Sequence, residues 1–366
     1  MRNDIKYILH GGLSNERITL MSFSQHTLKL ANNLEFRYTD SGAPALSTDY
    51  TTLVGIHGMG FNGGQAAYGF ERVHEHAHKS NMRTIFINRR DYRGSTPYAE
   101  EELAHIRSGK ESMFADLGLE VAMVLEYFVD AGKIGGGGIV VFGWSQAVLW
   151  VLPLLATAEA FDAGLYEKLE PHLRGVVLYD PAFKVPEFTP VSDTSATAAD
   201  PESAGKAFGK WVSGYFHHPG GVPSWDAAPT RYTLDKWTAE EVERWCELTV
   251  GMRTIPTRFV AVAFEYQADL RSVEETAQMN SSLETMTNRA FFDDSMISKR
   301  FPRAHFLYLH GTESPALCVS AYVGFKERTD KDKTSRRVTF AVVPEANHFV
   351  SRWVAIYRLI SLPDAL

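Results

Sequence analysis

The sequence has few cysteines, no long hydrophobic run and no excess of basic residues. Only two cysteines occur in 366 residues, so a disulfide framework is excluded. No stretch has the length and apolar character of a membrane span, and the N-terminal residues lack the apolar segment of a secretory signal. We therefore expect a cytoplasmic protein that has no membrane partner.

The charge and composition narrow the classes of partner. The net charge of -7 argues against nucleic acid as a main partner, because nucleic-acid binding relies on clustered basic residues. Hydrophobic residues make up 45% and charged residues 22%, which is typical of an ordinary soluble globular protein. Adjacent His217 and His218 would diverge on regular structure, so no metal site is expected, and no cofactor is expected either.

The most informative segment surrounds Ser145. The β-branched apolar run 139–142 predicts a strand, and a helix-forming run begins directly after the Gly-Trp-Ser-Gln-Ala sequence of residues 143–147. A serine at a sharp strand-to-helix turn is held in a strained conformation that projects its hydroxyl above the sheet. Small residues at Gly143 and Ala147 allow the strand and helix to approach closely. This context favours a nucleophilic serine over an ordinary turn residue.

Three further strand-like runs are followed by short motifs, of which the Asp91 and Arg93 turn is expected to be structural. The strand predicted over 51–56 leads into His57-Gly58-Met59-Gly60, where glycine lets the backbone approach a ligand. The run 83–88 precedes an Asp-x-Arg-Gly sequence at residues 91–94, and the run 338–343 leads to His348. Helices are expected at 62–80, 112–131 and 145–158, strands also at 174–179 and 306–310, and an antiparallel hairpin over 28–38.

Four motifs occur in the order and spacing that resemble the α/β-hydrolase superfamily. They are His57-Gly58, the turn at 91–94, the Gly-Trp-Ser-Gln-Ala sequence at 143–147, and His348. The resemblance covers roughly residues 27–182 and 300–362. It implies a mostly parallel, eight-stranded α/β sheet with helices on both faces and a helical cap inserted after the sixth strand. We accordingly expect an arm over residues 1–24, the core over 25–182 and 301–366, and the cap over 183–300, with a polar linker at 183–204.

The serine needs a base and an acid. A neutral imidazole removes the hydroxyl proton best near neutral pH, and His348 is the favoured base because it follows the last predicted strand. A carboxylate must orient that imidazole. The family's usual acid position, after the penultimate strand, holds Ser314 in this sequence. The resemblance implies a second acid position, used by a minority of the family, at the end of the strand after the nucleophile helix. That position is Asp180, which we favour, and Glu313 is kept as the alternative acid.

The resemblance also implies an oxyanion hole. The backbone amides of Met59 and Gln146 are its expected donors, since the residue after the nucleophile begins a helix whose free N–H groups favour negative charge. Gly58 allows the close approach, and Trp144 is expected to border the same pocket.

The candidate triad of Ser145, His348 and Asp180, together with the oxyanion hole, predicts hydrolysis of an ester or lactone bond. The expected substrate is a moderately apolar small molecule, and the reaction is expected to pass through an acyl-enzyme. The strand-to-helix turn at Ser145 corresponds to the family's nucleophile elbow. Serine at this position disfavours dehalogenase and epoxide hydrolase chemistry, because those family members carry aspartate there. The acid position also resembles that of fungal-type lactonases. Hydrolysis of a carbon–carbon bond by the same triad is one alternative, and non-catalytic binding of a small molecule in a capped pocket is another. The oligomeric state is open, and a homodimer is among the options.

Overall fold

The computed structural model describes residues 7–8, 25–63, 77–181, 201–251, 271–332 and 336–349. The central strands are apolar runs that alternate their side chains between two buried clusters, one on each face of the sheet. The strands are β1 (Tyr7–Ile8), β2 (Gln25–Lys29), β3 (Glu35–Asp40), β4 (Thr51–Ile56), β5 (Met82–Ile87), β6 (Ile139–Trp144), β7 (Leu173–Tyr179), β8 (His305–Gly311) and β9 (Val338–Val343).

The strands form one sheet in the order β1-β9-β8-β7-β6-β4-β5-β3-β2. Pairs from β9 to β5 are parallel, whereas β3 pairs antiparallel with both β5 and β2. The predicted mostly parallel eight-stranded α/β sheet and its edge hairpin are therefore confirmed. The two-residue β1 adds a ninth strand, parallel to β9, within the segment expected to be an arm.

Helices connect and cover the strands. They are α1 (Glu100–Arg107), α2 (Glu111–Asp130), α3 (Val148–Ala156), α4 (Ala163–Leu169), α5 (Pro201–Val212), α6 (Ala239–Trp245), α7 (Leu248–Gly251), α8 (Arg271–Thr287), α9 (Asp294–Ile297) and α10 (Ala316–Lys331). Within the described ranges, none of them is both long enough and apolar enough to cross a bilayer.

Some boundaries differ from those expected. The helix predicted over 145–158 begins as a 3₁₀ turn at Ser145–Ala147 and ends at Ala156. Residues 201–204, expected in a linker, form the first turn of α5 because a proline opens that helix. The remainder of the predicted linker, the central part of the predicted helix 62–80, and the arm apart from β1 lie outside the described residues.

Candidate active site

Ser145 has the backbone strain expected of a nucleophile elbow. Its φ is 58°, in the left-handed region that a residue with a side chain seldom adopts. The elbow is also tightly packed, because a Cβ at Gly143 would come within 2.7 Å of the Leu178 side chain and 3.0 Å of Val151. A side chain at Gly143 would therefore have to displace the end of the Leu178 side chain. The half-buried Ser145 lies at the carboxyl edge of the sheet.

The loop after β4 lies directly against the elbow. A Cβ at Gly58 would be 2.9 Å from the Cβ of Ser145 and 3.4 Å from its Oγ, so the glycine permits this approach. Met59 and Gln146, whose amides are the expected oxyanion donors, are both buried beside it. The structure therefore brings the two expected donor segments together around Ser145.

Asp180 follows β7 next to the elbow because of strand register. Trp144 at the end of β6 pairs with Tyr179 at the end of β7, so Ser145 and Asp180 follow paired residues on neighbouring parallel strands. Like Ser145, Asp180 has a positive φ, of 44°. Its side chain is completely buried. A charged carboxylate in such a place requires hydrogen-bond donors.

Four donors surround the Asp180 carboxylate. Oδ1 accepts from Nδ1 of His310 at 2.8 Å and from the Gly311 amide at 3.2 Å. Oδ2 accepts from the Ser314 hydroxyl and from Nδ1 of His348 at 3.3 Å. Burial alone would raise the pKa of Asp180, but the bonds from both histidines outweigh it and lower the pKa to about 2. Asp180 is therefore ionised throughout the neutral range.

His348 is fixed in the loop after β9 by its backbone and by its neighbours. Its carbonyl accepts from the indole N–H of Trp144 at 2.8 Å, which ties the loop to the last residue of β6. The preceding carbonyl, that of Asn347, accepts from the Tyr179 hydroxyl at 2.5 Å. With Nδ1 directed at Asp180, Nε2 is the nitrogen left to act on a substrate or nucleophile.

Glu313, the alternative acid, faces the segment 201–251. Its carboxylate pairs with Arg231 at 3.0 Å, and its carbonyl accepts from the Phe216 amide at 2.9 Å. The Arg231 guanidinium also lies 4.0 Å from the centre of the Tyr215 ring. Glu313 thus ties the segment 201–251 to the turn after β8, while Asp180 holds the His348 ring.

Sequence reasoning did not identify His310, Ser314 or Cys318 as part of this site. All three are buried, and each contacts Asp180 or His348. Histidine at the end of a strand and serine in a turn are common, so neither position carries a signal of its own. The contacts depend on the parallel register of β7 and β8, in which Tyr179 pairs with Leu309.

One trio of possible metal ligands occurs within the described part of the chain. The ligand atoms of Asp180, Cys318 and His348 lie within 4.8 Å of one another. Two of them already satisfy each other by the carboxylate–imidazole bond. Burial raises the pKa of the Cys318 thiol well above its usual value, and a protonated thiol is a poor metal ligand. The trio therefore suits a hydrogen-bonded site better than a metal centre.

A cluster of buried aromatic rings packs beside His348. Phe61 packs edge-on against Phe349 and Trp237, at centroid distances of 4.7 and 6.3 Å. Trp144 lies 5.3 Å from Phe349. Trp237 also packs against Trp245 of α6 at 5.2 Å. Among the aromatics expected in the cap, these two tryptophans are buried, whereas Trp225 is 46% exposed.

The chain is similar to solved structures at low sequence identity. A single-site mutant of the epoxide hydrolase from Solanum tuberosum is 12% identical, with a TM-score of 0.53 over 93% of this chain and 98% of that one. A laboratory-evolved variant of the potato epoxide hydrolase is 11% identical, with a TM-score of 0.54 over 93% and 98%. An esterase from Rhodococcus sp. is 15% identical, with a TM-score of 0.49 over 92% and 97%. The sequence matches no known protein-family model and none of the curated proteins.

Identity at this level reports on the fold and not on the reaction. The mostly parallel sheet, the serine elbow after β6 and the similarity over nearly the whole chain agree with one another. The chain has the α/β-hydrolase fold.

Proposed function

We propose that this protein is a serine hydrolase that cleaves an ester or lactone bond in a moderately apolar small molecule. The observation that carries the proposal is the bond between the buried Asp180 carboxylate and Nδ1 of His348, beside a strained serine. This arrangement suits acyl transfer, in which a carboxylate orients an imidazole that activates a hydroxyl.

In the proposed reaction, Ser145 Oγ attacks the carbonyl carbon while Nε2 of His348 takes the hydroxyl proton. The carbonyl electron pair becomes an oxyanion that accepts hydrogen bonds from the Met59 and Gln146 amides. As the intermediate collapses, the carbon–oxygen bond breaks and His348 returns its proton to the leaving alcohol. Water then attacks the acyl-enzyme by the same route, releasing the acid and free Ser145.

Asp180 holds the imidazole in the tautomer that leaves Nε2 unprotonated, and its negative charge stabilises the imidazolium that forms. Two further observations support its role. Its pKa of about 2 keeps it charged at neutral pH, and His310, Gly311 and Ser314 fix the carboxylate from the other directions.

The aromatic surround supports an apolar substrate. Trp144 and Phe349 contact the His348 ring, and Phe61 and Trp237 pack against these two rings, so the surroundings of the proposed base are apolar. An apolar ligand bound against them would gain about 25 cal/mol for each Å² of apolar surface that is buried. Hydrolysis of a carbon–carbon bond next to a carbonyl would use the same groups and is the nearest variant.

The test is hydrolysis of p-nitrophenyl esters of increasing acyl length, and of aromatic lactones, by the wild-type chain and by Ser145→Ala. We expect turnover by the wild type and none above background by the variant. A fluorophosphonate probe should label the wild type and leave Ser145→Ala unlabelled. A wild type that is neither labelled nor active on any substrate would instead favour a small-molecule binding protein.

A further inference from the structure

Arg89 is a buried cation at the end of β5, next to the elbow. It is 3% exposed, and its guanidinium lies 4.0 Å from the centre of the Trp150 ring and 5.0 Å from that of Tyr92. Nη2 donates to the Gly58 carbonyl at 2.8 Å and to the Tyr92 hydroxyl at 3.2 Å. The same nitrogen lies 3.4 Å from Oε1 of Gln146. Arg89 thus touches both segments that surround Ser145.

The bond to Gly58 bears on the neighbouring amide. The Gly58 carbonyl also accepts from Nδ1 of His57 at 2.8 Å, so two donors fix its direction. The Gly58–Met59 peptide is trans, and in a trans peptide the N–H points opposite to the C=O. Holding the Gly58 carbonyl toward Arg89 therefore fixes the direction of the Met59 N–H.

The rest of the loop is held by the same group. The Gly60 amide donates to the Tyr92 hydroxyl at 2.8 Å, and that hydroxyl accepts from Arg89. The backbone N–H of Arg89 donates to Nε2 of His57 at 3.0 Å. Burial, and then the charge of Arg89, lower the pKa of His57 well below its usual value, so this imidazole stays neutral. The loop after β4 is therefore held by hydrogen bonds that involve one charged group, Arg89, and two neutral side chains, His57 and Tyr92.

Arg89 has no direct ion pair among the described residues, although the buried carboxyl group of Glu120 interacts with its charge at longer range. The adjacent Arg90 pairs with Glu102 and lies 3.8 Å from Glu120, whereas in the described part of the chain no carboxylate is within ion-pairing distance of Arg89. A buried cation without a direct ion pair is unfavourable in the resting protein. A negative charge that forms at the carbonyl of a bound ester would offset it, and preorganised charge of this kind lowers the barrier.

We propose that Arg89 is a positioning residue of the oxyanion hole, which aligns the Gly58–Met59 peptide and adds positive potential where the oxyanion forms. The inference rests on the proposed function. It assigns Arg89 no contact with the substrate, so its effect falls on the transition state and leaves ground-state binding unchanged.

The experiment compares Arg89→Met and Arg89→Lys with Arg90→Met as the matched control. Steady-state kinetics on the best ester are combined with inhibition by a trifluoromethyl ketone, whose carbonyl adds the Ser145 hydroxyl to form an oxyanion. We expect Arg89→Met to lower kcat by about 100-fold with KM changed less than about threefold. The affinity for the ketone should fall by the same factor as kcat, and Arg89→Lys should recover most of both.

Arg90→Met should reduce thermal stability at least as much as Arg89→Met, while kcat per folded molecule stays close to that of the wild type. Three results would overturn the inference: a normal kcat in Arg89→Met, a loss confined to KM, or a loss explained by the unfolded fraction. An inert wild type that also fails to react with a fluorophosphonate would remove the proposed function and this inference together. A labelled, active wild type with an unaffected Arg89→Met would remove the inference alone.

Discussion

The hydroxyl of Ser314 donates a hydrogen bond to the carboxylate of Asp180. Ser314 occupies the position at which the family resemblance places the catalytic acid, at the turn after β8. A second carboxylate there would lie against Asp180, in a buried site where two like charges are costly. A hydroxyl is complementary, because it supplies one of the donors that the carboxylate needs. A serine at position 314 is therefore compatible with an ionised Asp180, whereas the usual acid at that position would not be.

Ser314→Asp should therefore destabilise the protein, whereas Ser314→Ala should have a milder effect. The buried carboxylate pair is expected to cost about 3–5 kcal/mol of unfolding free energy, and loss of one bond to a charged group about 1.5–3 kcal/mol. Urea denaturation at pH 7 measures both. Adding Asp180→Ser to Ser314→Asp should restore stability, because one carboxylate then remains. Ser314→Asp with wild-type stability would contradict this account.

Asp180→Asn should lower kcat by about 10³–10⁴-fold, and Glu313→Gln should change it less than about twofold. The asparagine side chain has one acceptor oxygen in place of two, so it cannot accept hydrogen bonds from His310, Ser314 and His348 together. The His348 imidazole therefore loses the negative charge that orients it. Glu313 is part of a partly exposed pair with Arg231. Ester hydrolysis by both variants, with folding checked by circular dichroism, decides between the two acids. A larger loss in Glu313→Gln would reverse the assignment.

Gly58→Ala should lower kcat by about 10- to 100-fold, because a displacement of about 1 Å near reacting groups has effects of this size. The added methyl would lie 2.9 Å from the Ser145 Cβ and 3.2 Å from the Trp144 carbonyl, so the loop or the elbow must move. Gly136→Ala is the control, since its methyl would meet no atom closer than 3.4 Å. Equal activity in the two variants would show that the loop tolerates the shift.

The sequence predicted the sheet better than the details of the site. Strands β4 and β9 have the predicted bounds because uninterrupted apolar runs have little alternative to a buried strand. Helix α1 was missed, since its glutamate-rich sequence has no strong apolar period. Strand β1 was missed as well, because two residues carry no periodic signal.

Some residues of the candidate site could likewise be predicted from the sequence and others could not. Ser145 and His348 are marked by local sequence, through a strand-to-turn pattern and a place after the last strand. The contacts of His310 with Asp180 and of Arg89 with Gly58 join residues 130 and 31 positions apart. They arise from strand register and loop direction, which hydrophobic patterns do not specify.

Glu120 should make the stability of the protein depend on pH near neutrality. Its side chain is 10% exposed, and burial raises its pKa from 4.5 to about 7 despite Arg90 at 3.8 Å. The folded protein therefore keeps a proton that the unfolded chain releases between about pH 4.5 and pH 7. Folded stability falls as pH rises through this window, by up to about 3 kcal/mol.

Glu120→Gln should remove this slope, so that its urea midpoint between pH 5 and pH 8 is flatter than that of the wild type and higher at pH 8. The matched control is Glu102→Gln, because Glu102 contacts the same Arg90. Its bond to Arg90 lowers the pKa of Glu102, so this carboxylate is ionised in both folded and unfolded states above pH 5. Glu102→Gln should therefore shift the midpoint and reduce the slope only slightly, because burial rather than the charge of Glu102 is the main cause of the raised pKa of Glu120. Parallel curves for the wild type and Glu120→Gln would show that Glu120 is already ionised in the folded protein at pH 5, with Arg90 outweighing its burial.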